Sequence, residues 1–389
     1  MKVLVTGAGG FLGRAVVAKG AEAGHDIIAM VRPKGSLEET RWPGAVSIVR
    51  GDLRQAGQWQ NQLEGIEAVI HLAASPSGDL SEQFAGTVIA TENLLASLPS
   101  TVRRFVHVSS FSVYDYGAIG AHQELDEQSA VELRPQRRDA YTWTKLIQEK
   151  LVVDHWEAER SASLVIIRPG AIFGPGKDWD FGRAMQLGGF DLIFAPFARM
   201  RLTYVDNCAD AIVRALDLPE GGGPFNIVDR DLPTHASYHR MCRRAGALTG
   251  RAVYVPWVVV ATGGLLIRAI NRMFFKGRAK LPEILDYPRQ QARWKPLQYR
   301  HGRAVKELGW TPGISIAEGV IRTFQSVAIQ TPEQGARDLA ALARRTKRVL
   351  HHREITFGLP EAVVLAIVGV AIAVITVAWL FATWTQPHP

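Results

Sequence analysis

Cysteine is scarce. The 389 residues hold two, Cys208 and Cys242, with no C-x-x-C pair. That excludes a disulfide framework and a zinc ribbon, predicts no metal site, and suits a reducing compartment. No secretory leader is expected, because Met1-Lys2 runs straight into Val3-Leu4-Val5, a buried-strand run, and then into a glycine-rich turn. Internal repeats and low-complexity segments are absent, so the chain is neither a solenoid nor a biased linker. Hydrophobic residues at 47% and charged residues at 21% suit a globular core and are too apolar for disorder.

Negative charge is missing in a telling place. Residues 251–281 carry Arg251, Arg268, Arg272, Lys276, Arg278 and Lys280 and no acid. Residues 336–353 carry Arg337, Arg344, Arg345, Lys347, Arg348 and Arg353 against Asp338 alone. These two stretches hold more than the whole net charge of +8, so the rest of the chain is slightly acidic. Both flank the most apolar stretches of the C-terminal third, which points to anionic lipid and away from nucleic acid.

Charge of either sign is absent from Ala362 to Trp384, 23 residues. As a helix at 1.5 Å per residue this run is about 34 Å long, enough to cross a hydrocarbon core. Trp379 and Trp384 stand where an interfacial aromatic belt belongs, and the basic flank lies on the N-terminal side only. The positive-inside rule then predicts a single-pass C-terminal membrane anchor over 359–385, with the catalytic region cytoplasmic. A basic linker is expected over 331–358. A second apolar stretch, Val253 to Ile267, is too short to span. Arg268, Arg272 and Lys276 recur every four residues among Leu265, Leu266, Ile270, Met273 and Phe274. Two readings fit: a helix over 253–275 in the membrane interface, or a buried helix with a solvated basic edge.

Residues 1–180 alternate strand and helix. Strands are expected at Lys2–Val5, Asp26–Val31, Val46–Val49, Ala68–Leu72, Phe105–Val108 and Leu164–Arg168, with helices between them as at Phe11–Ala23 and Gly86–Ala96. This alternation predicts an α/β fold, a doubly wound parallel sheet (Rossmann) wrapped on both faces. Residues 181–330, less regular and rich in Pro and Gly, are expected to form a smaller substrate-binding lobe.

Thr6-Gly7-Ala8-Gly9-Gly10-Phe11-Leu12-Gly13 follows the first strand and opens the first helix. Glycine at 7, 10 and 13 permits a tight turn, a pyrophosphate close to backbone N–H groups, and close helix-to-strand packing. At the end of the second strand, where an acid usually meets the NAD ribose, stands Arg32, which can pair with a 2′-phosphate. NADP(H) is therefore favoured over NAD(H), the other reading of Arg32 being a solvated surface charge. Asp52-Leu53 is positioned to meet the adenine, unless Asp52 is simply a helix cap.

Tyr141 and Lys145 share one helical face. A nearby cation lowers a tyrosine hydroxyl, otherwise near 10, by roughly 1–3 units. Ser109, Ser110 and Ser112 follow a buried strand at the carboxyl edge, where a serine can hold a substrate oxygen while tyrosine exchanges its proton. Each of the three can equally be a turn residue.

Together these features resemble the extended short-chain dehydrogenase/reductase family, also called the NAD-dependent epimerase/dehydratase family, over about residues 1–330. The glycine motif at 6–13, Asp52-Leu53, His71-Leu72-Ala73-Ala74, the run from Ser109 to Tyr114, and Tyr141/Lys145 match in order. So do Arg168-Pro169-Gly170 through Gly174-Pro175-Gly176, Tyr204 through Ala211, Phe225-Asn226-Ile227 and Leu308 through Pro312. The resemblance implies that Tyr141 is the acid/base, Lys145 its activator and ribose ligand, and Ser110 the substrate-oxygen partner. It also implies that Leu72, Ala73 and Ala74 lie along the cofactor and that Pro169, Gly170 and Ile172 border the nicotinamide. Thr87 stands where the family has an asparagine that steadies the proton path to the lysine. Relatives often dimerise through helices that include the tyrosine helix.

Three functions are carried forward. The first is an oxidoreductase acting on a carbinol or keto carbon of a membrane-resident lipid or sterol-like substrate. The second is a nucleotide-sugar epimerase or dehydratase, with Arg168 and the 174–176 loop facing the sugar nucleotide. The third is a non-catalytic nucleotide-binding subunit of a membrane assembly.

Overall fold

Val3, Leu4 and Val5 are all fully buried, as a strand covered on both faces requires. A computed structural model describes residues 1–33, 42, 46–159, 163–177, 185–187, 189–220, 222–276 and 287–328. In it that run belongs to β1 (Lys2–Thr6) of a seven-stranded sheet with β2 (Asp26–Val31), β3 (Val46–Arg50), β4 (Ala68–His71), β5 (Arg104–Val108), β6 (Ser163–Pro169) and β7 (Gly222–Ile227). Every pairing is parallel and the order is β7-β6-β5-β4-β1-β2-β3. The direction of strand addition reverses between β1 and β4. In doubly wound sheets the crevice at that switch, beyond the carboxyl ends of the strands, is where ligands bind.

Alternate side chains of the strands feed two cores. Val3 and Val5 pack with Val16 and Val17 of α1 (Phe11–Glu22) and with Cys208, Ala209 and Ile212. Leu4, Ile28 and Val69 pack on the opposite face with Leu94 of α3 (Ala90–Leu95) and Val152 of α4 (Ala140–Glu159). Both cysteines are buried and neither forms a disulfide.

The expected strands lie within a residue or two of the observed ones, and the sheet takes its last strand, β7, from the second half of the chain. Two elements differ from expectation. The helix expected over 86–96 begins earlier, as α2 (Leu80–Phe84), and passes through a π-helical segment, Ala85–Ile89, before α3. Gly86 in this segment lets the Ser75 loop pack close, because a Cβ there would meet the Ser75 side chain at 2.8 Å. Residues 253–255 are not helical either. Arg251–Val255 is a strand paired in parallel with Phe190–Phe194. Pro256 then precedes α5 (Trp257–Phe275), which ends at Lys276 in the left-handed conformation. By length and composition alone its 19 residues are enough to cross a membrane, Arg268 and Arg272 included, whereas the apolar stretch read from the sequence ended at Ile267. Little of α5 is buried: Val258, Met273 and Phe274 are 62%, 75% and 71% exposed. The expected linker and the C-terminal anchor lie outside the described residues.

Candidate functional site

The glycine turn is shaped by close backbone approach. Gly7 has φ +69°, and its carbonyl accepts from Gly10 N at 2.9 Å. A Cβ at Gly13 would lie 2.1 Å from that same carbonyl and 2.8 Å from Ala8 Cα, so only glycine fits. Gly10 caps α1 with no side-chain hydrogen bond, and the first turn, beginning Phe11-Leu12-Gly13, carries no acid. The N–H groups of that turn are therefore oriented for an anion, and the residues present fit a dinucleotide pyrophosphate.

At the β2 and β3 edge, Arg32 is exposed and lies close enough to help hold Asp52 ionised. The main partner of Asp52 is Arg54, which sequence reasoning did not single out. Its Nη2 donates to Oδ2 at 2.6 Å and its Nε reaches both carboxylate oxygens at 2.9 and 3.0 Å. That pairing keeps the Asp52 carboxyl below its ordinary range. Asp52 accepts from its own turn, at Arg54 N, and caps no helix. Leu53 is buried, and its carbonyl is held by Asn93 Nδ2 at 2.8 Å.

Beyond β4, Leu72 N and Ala73 N donate to Thr6 Oγ1 at 3.2 and 3.3 Å, which fixes the start of the Leu72-Ala73-Ala74 segment against β1. Across the crevice, Gly170 N donates to Ile227 O at 2.9 Å, and a Cβ at Gly170 would lie 2.4 Å from Arg201 O. Pro169 closes β6, and Ile172 lies half-buried in the short strand Ala171–Phe173 that follows.

Ser110 and Tyr141 meet. Ser110 caps a 3-10 turn at Phe111–Val113, accepting from Ser112 N at 3.1 Å, and its hydroxyl lies near enough to Tyr141 to favour the ionised phenol. Of the three serines it is the one beside the tyrosine; the hydroxyls of Ser109 and Ser112 are buried without a partner among the described residues. Burial raises Tyr141 above its ordinary value, and Ser110 offsets part of that rise. A depressed tyrosine was expected from Lys145, but the lysine spends its amine elsewhere. Lys145 Nζ donates to Val108 O at 2.7 Å and to Gln148 Oε1 at 2.8 Å, and burial brings its pKa down to about 7.

Gln148, Thr91 and Thr6 were missed. The signal for Gln148 was its place three residues after Lys145, on the same helical face. Its Nε2 donates to Ala73 O at 3.0 Å and Thr91 Oγ1 at 2.9 Å. His71, fully buried and pushed down to about 3, is neutral and bridges Thr6 Oγ1 and Thr91 Oγ1 at 2.8 and 2.9 Å. Thr87, in the π-helical segment, accepts from Ser75 N through Oγ1 at 3.0 Å and from Thr91 Oγ1 through its carbonyl at 2.6 Å. Arg168 is paired with Glu149 of α4, its Nε 3.2 Å from Oε2 and its Nη2 on Oε1, and lies 4.9 Å over the Tyr114 ring.

The chain is similar to known proteins. Residues 3–228, more than half of the chain, match the model of the NAD dependent epimerase/dehydratase family. The 2-alkyl-3-oxoalkanoate reductase of Stenotrophomonas maltophilia is 27% identical over 343 residues, 84% of this chain and 100% of that protein. The 3beta-hydroxysteroid-dehydrogenase/decarboxylase isoform 1 of Arabidopsis thaliana is 32% identical over 311 residues, 75% of this chain and 69% of that protein. The solved UDP-glucuronic acid 4-epimerase of Bacillus cereus, in complex with NAD, shares the fold with a TM-score of 0.61 at 18% identity, covering 84% of this chain and 96% of that one. The chain belongs to the NAD dependent epimerase/dehydratase family and is an NAD(P)-dependent oxidoreductase or epimerase.

Proposed function

We propose that the protein is a net oxidoreductase acting at a carbinol or keto carbon of a membrane-associated, lipid or sterol-like substrate, with NADP(H) preferred. The observation that carries this reading is the placing of Ser110 beside Tyr141 at the carboxyl edge of β5, with Tyr141 one helical turn from Lys145 and the Lys145 amine on Val108 O. Ser110 holds the substrate oxygen, and Tyr141 exchanges the proton on it. Lys145 directs its remaining N–H toward a ribose hydroxyl. Gly7, Gly10 and Gly13, with the Phe11 and Leu12 amides, hold the pyrophosphate; Leu72, Ala73, Ala74, Pro169, Gly170 and Ile172 line the rest of the dinucleotide. The nicotinamide, when bound, supplies or accepts the hydride.

Arg32 supports NADP(H). Relatives named for an oxoalkanoate and for a hydroxysteroid support the substrate class. So does α5, where Leu265, Leu266, Ile270, Met273 and Phe274 are exposed beside the exposed Arg268, Arg272 and Lys276. That combination suits an anionic membrane surface. Against a nucleotide-sugar epimerase stands Arg168, which is committed to Glu149 and Tyr114 rather than directed to a ligand.

Three measurements test the proposal. Small molecules released from the denatured, detergent-purified protein are identified by mass spectrometry: near-stoichiometric NAD(+) overturns the net-oxidoreductase reading, whereas an empty site that then binds NADPH more tightly than NADH supports it. With a 3-oxoalkanoate or 3-ketosteroid probe, Tyr141→Phe is expected to abolish turnover and leave NADPH binding within about twofold; unchanged turnover refutes the role of Tyr141. Removing residues 359–389 is expected to weaken membrane association and to spare cofactor binding.

A further inference from the structure

The hydrogen bonds around Lys145 run outward from the amine to β1 and β4. Thr6 Oγ1 accepts from Leu72 N and Ala73 N and shares a hydrogen with His71 Nδ1. The neutral His71 has its Nε2 between Thr91 Oγ1 at 2.9 Å and Gln148 Nε2 at 3.1 Å. Thr91 in turn donates to Thr87 O. Gln148 is fully buried, and its amide orientation is dictated by its neighbours. Ala73 O only accepts, so Nε2 faces it; the second hydrogen of Nε2 goes to Thr91 Oγ1. Oε1 faces the lysine, whose amine donates to it and to Val108 O. Ala73 O, Thr91 Oγ1 and the His71 ring thereby hold the Gln148 amide on three sides. Thr87, the other candidate to support the lysine, has its hydroxyl on Ser75 N.

We infer that Gln148 is a positioning residue that holds the Lys145 amine against the end of β5 and ties it to the Ala73 backbone, so that lysine and cofactor-lining loop move as one body. The inference rests on the proposed cofactor reading. Two of the lysine's three N–H groups are taken by Val108 O and Gln148 Oε1, which leaves the third for a ligand. The titratable and charged groups around the amine are His71 of β4, His107 of β5 and Glu149 of its own helix, with Arg168 of β6 neutralising Glu149. Both histidines are buried and held neutral, so they stay constant across the neutral range.

The test is fluorescence titration of the full-length protein with NADPH and NADH from pH 6 to 9, for wild type, Lys145→Met, Gln148→Leu and Gln148→Glu. A lysine cation that holds the ribose loses its charge as pH rises, so wild-type affinity is expected to fall through neutrality and that of Lys145→Met to stay flat. Gln148→Leu removes an acceptor from the cation: its inflection is expected to move to lower pH, with affinity at pH 7 down about fivefold. Gln148→Glu adds a carboxylate at the same point and is expected to move the inflection up by about one unit or more. Opposite displacements support the clamp, because a merely structural residue would change the melting temperature and leave the inflection in place. Wild-type inflections in both Gln148 variants, with Lys145→Met still flat, overturn the clamp and spare the cofactor reading. Wild type binding neither dinucleotide overturns the cofactor reading and the clamp with it. Should Gln148→Leu fail to fold, Gln148→Glu decides alone, and an unmoved inflection is negative.

Discussion

Replacing Arg32 by alanine isolates the choice between the two dinucleotides. Arg32 lies at the end of β2, exposed, and makes no ion pair among the described residues. Arg54 is no substitute, because its guanidinium is bound three ways to Asp52. A hydrogen bond to a charged group contributes about 1.5–3 kcal/mol. Solvent screening at an exposed position reduces this to about 1–2 kcal/mol. At 1.4 kcal/mol per decade, Arg32→Ala is expected to weaken NADPH binding by about 5- to 30-fold and NADH binding by less than twofold. Fluorescence titration of both dinucleotides against wild type and variant, repeated at 50 and 500 mM salt, reads this directly; the NADPH advantage of the wild type should shrink at high salt. Equal loss for NADPH and NADH, or loss for neither, would refute the assignment of Arg32 to the 2′-phosphate.

Two further outcomes follow from the packing. Gly13→Ala places a Cβ against the Gly7 carbonyl and the Ala8 backbone, neither of which can yield like a side chain; it is expected to cost about 1–3 kcal/mol in urea unfolding and to abolish dinucleotide binding, and wild-type binding by a folded Gly13→Ala protein would contradict the cradle. Glu149→Ala strands the Arg168 charge, with 6% of its side chain exposed; a loss of about 3–5 kcal/mol is expected in the same unfolding assay, and a change below about 1 kcal/mol would mean that Tyr114 or water already compensates the cation.

Much of the fold was legible because parallel strands buried on both faces are written as continuous apolar runs, as in Val3-Leu4-Val5 and Val69-Ile70, and such runs need no knowledge of their partners. The π-helical segment was illegible for the opposite reason. Ala85–Ile89 has no distinctive composition, and its close approach to Ser75 at Gly86 and the Ser75 N to Thr87 Oγ1 bond join it to a loop twelve residues away. The strand at Arg251–Val255 was hidden in the same way, since its apolar run continues into α5 and only pairing with Phe190–Phe194 separates the two.

At the site the division is similar. The glycines at 7, 10 and 13 and the helical spacing of Tyr141 and Lys145 are local facts, set by turn geometry and by 3.6 residues per turn, and the sequence by itself determined them. Which serine meets the tyrosine, that the Lys145 amine goes to Val108 and Gln148, and that Arg168 belongs to Glu149 were decided by tertiary structure alone. A donor in a buried crevice bonds to the acceptor that folding brings within 3 Å, and for Lys145 one acceptor was 37 residues away while the other was three.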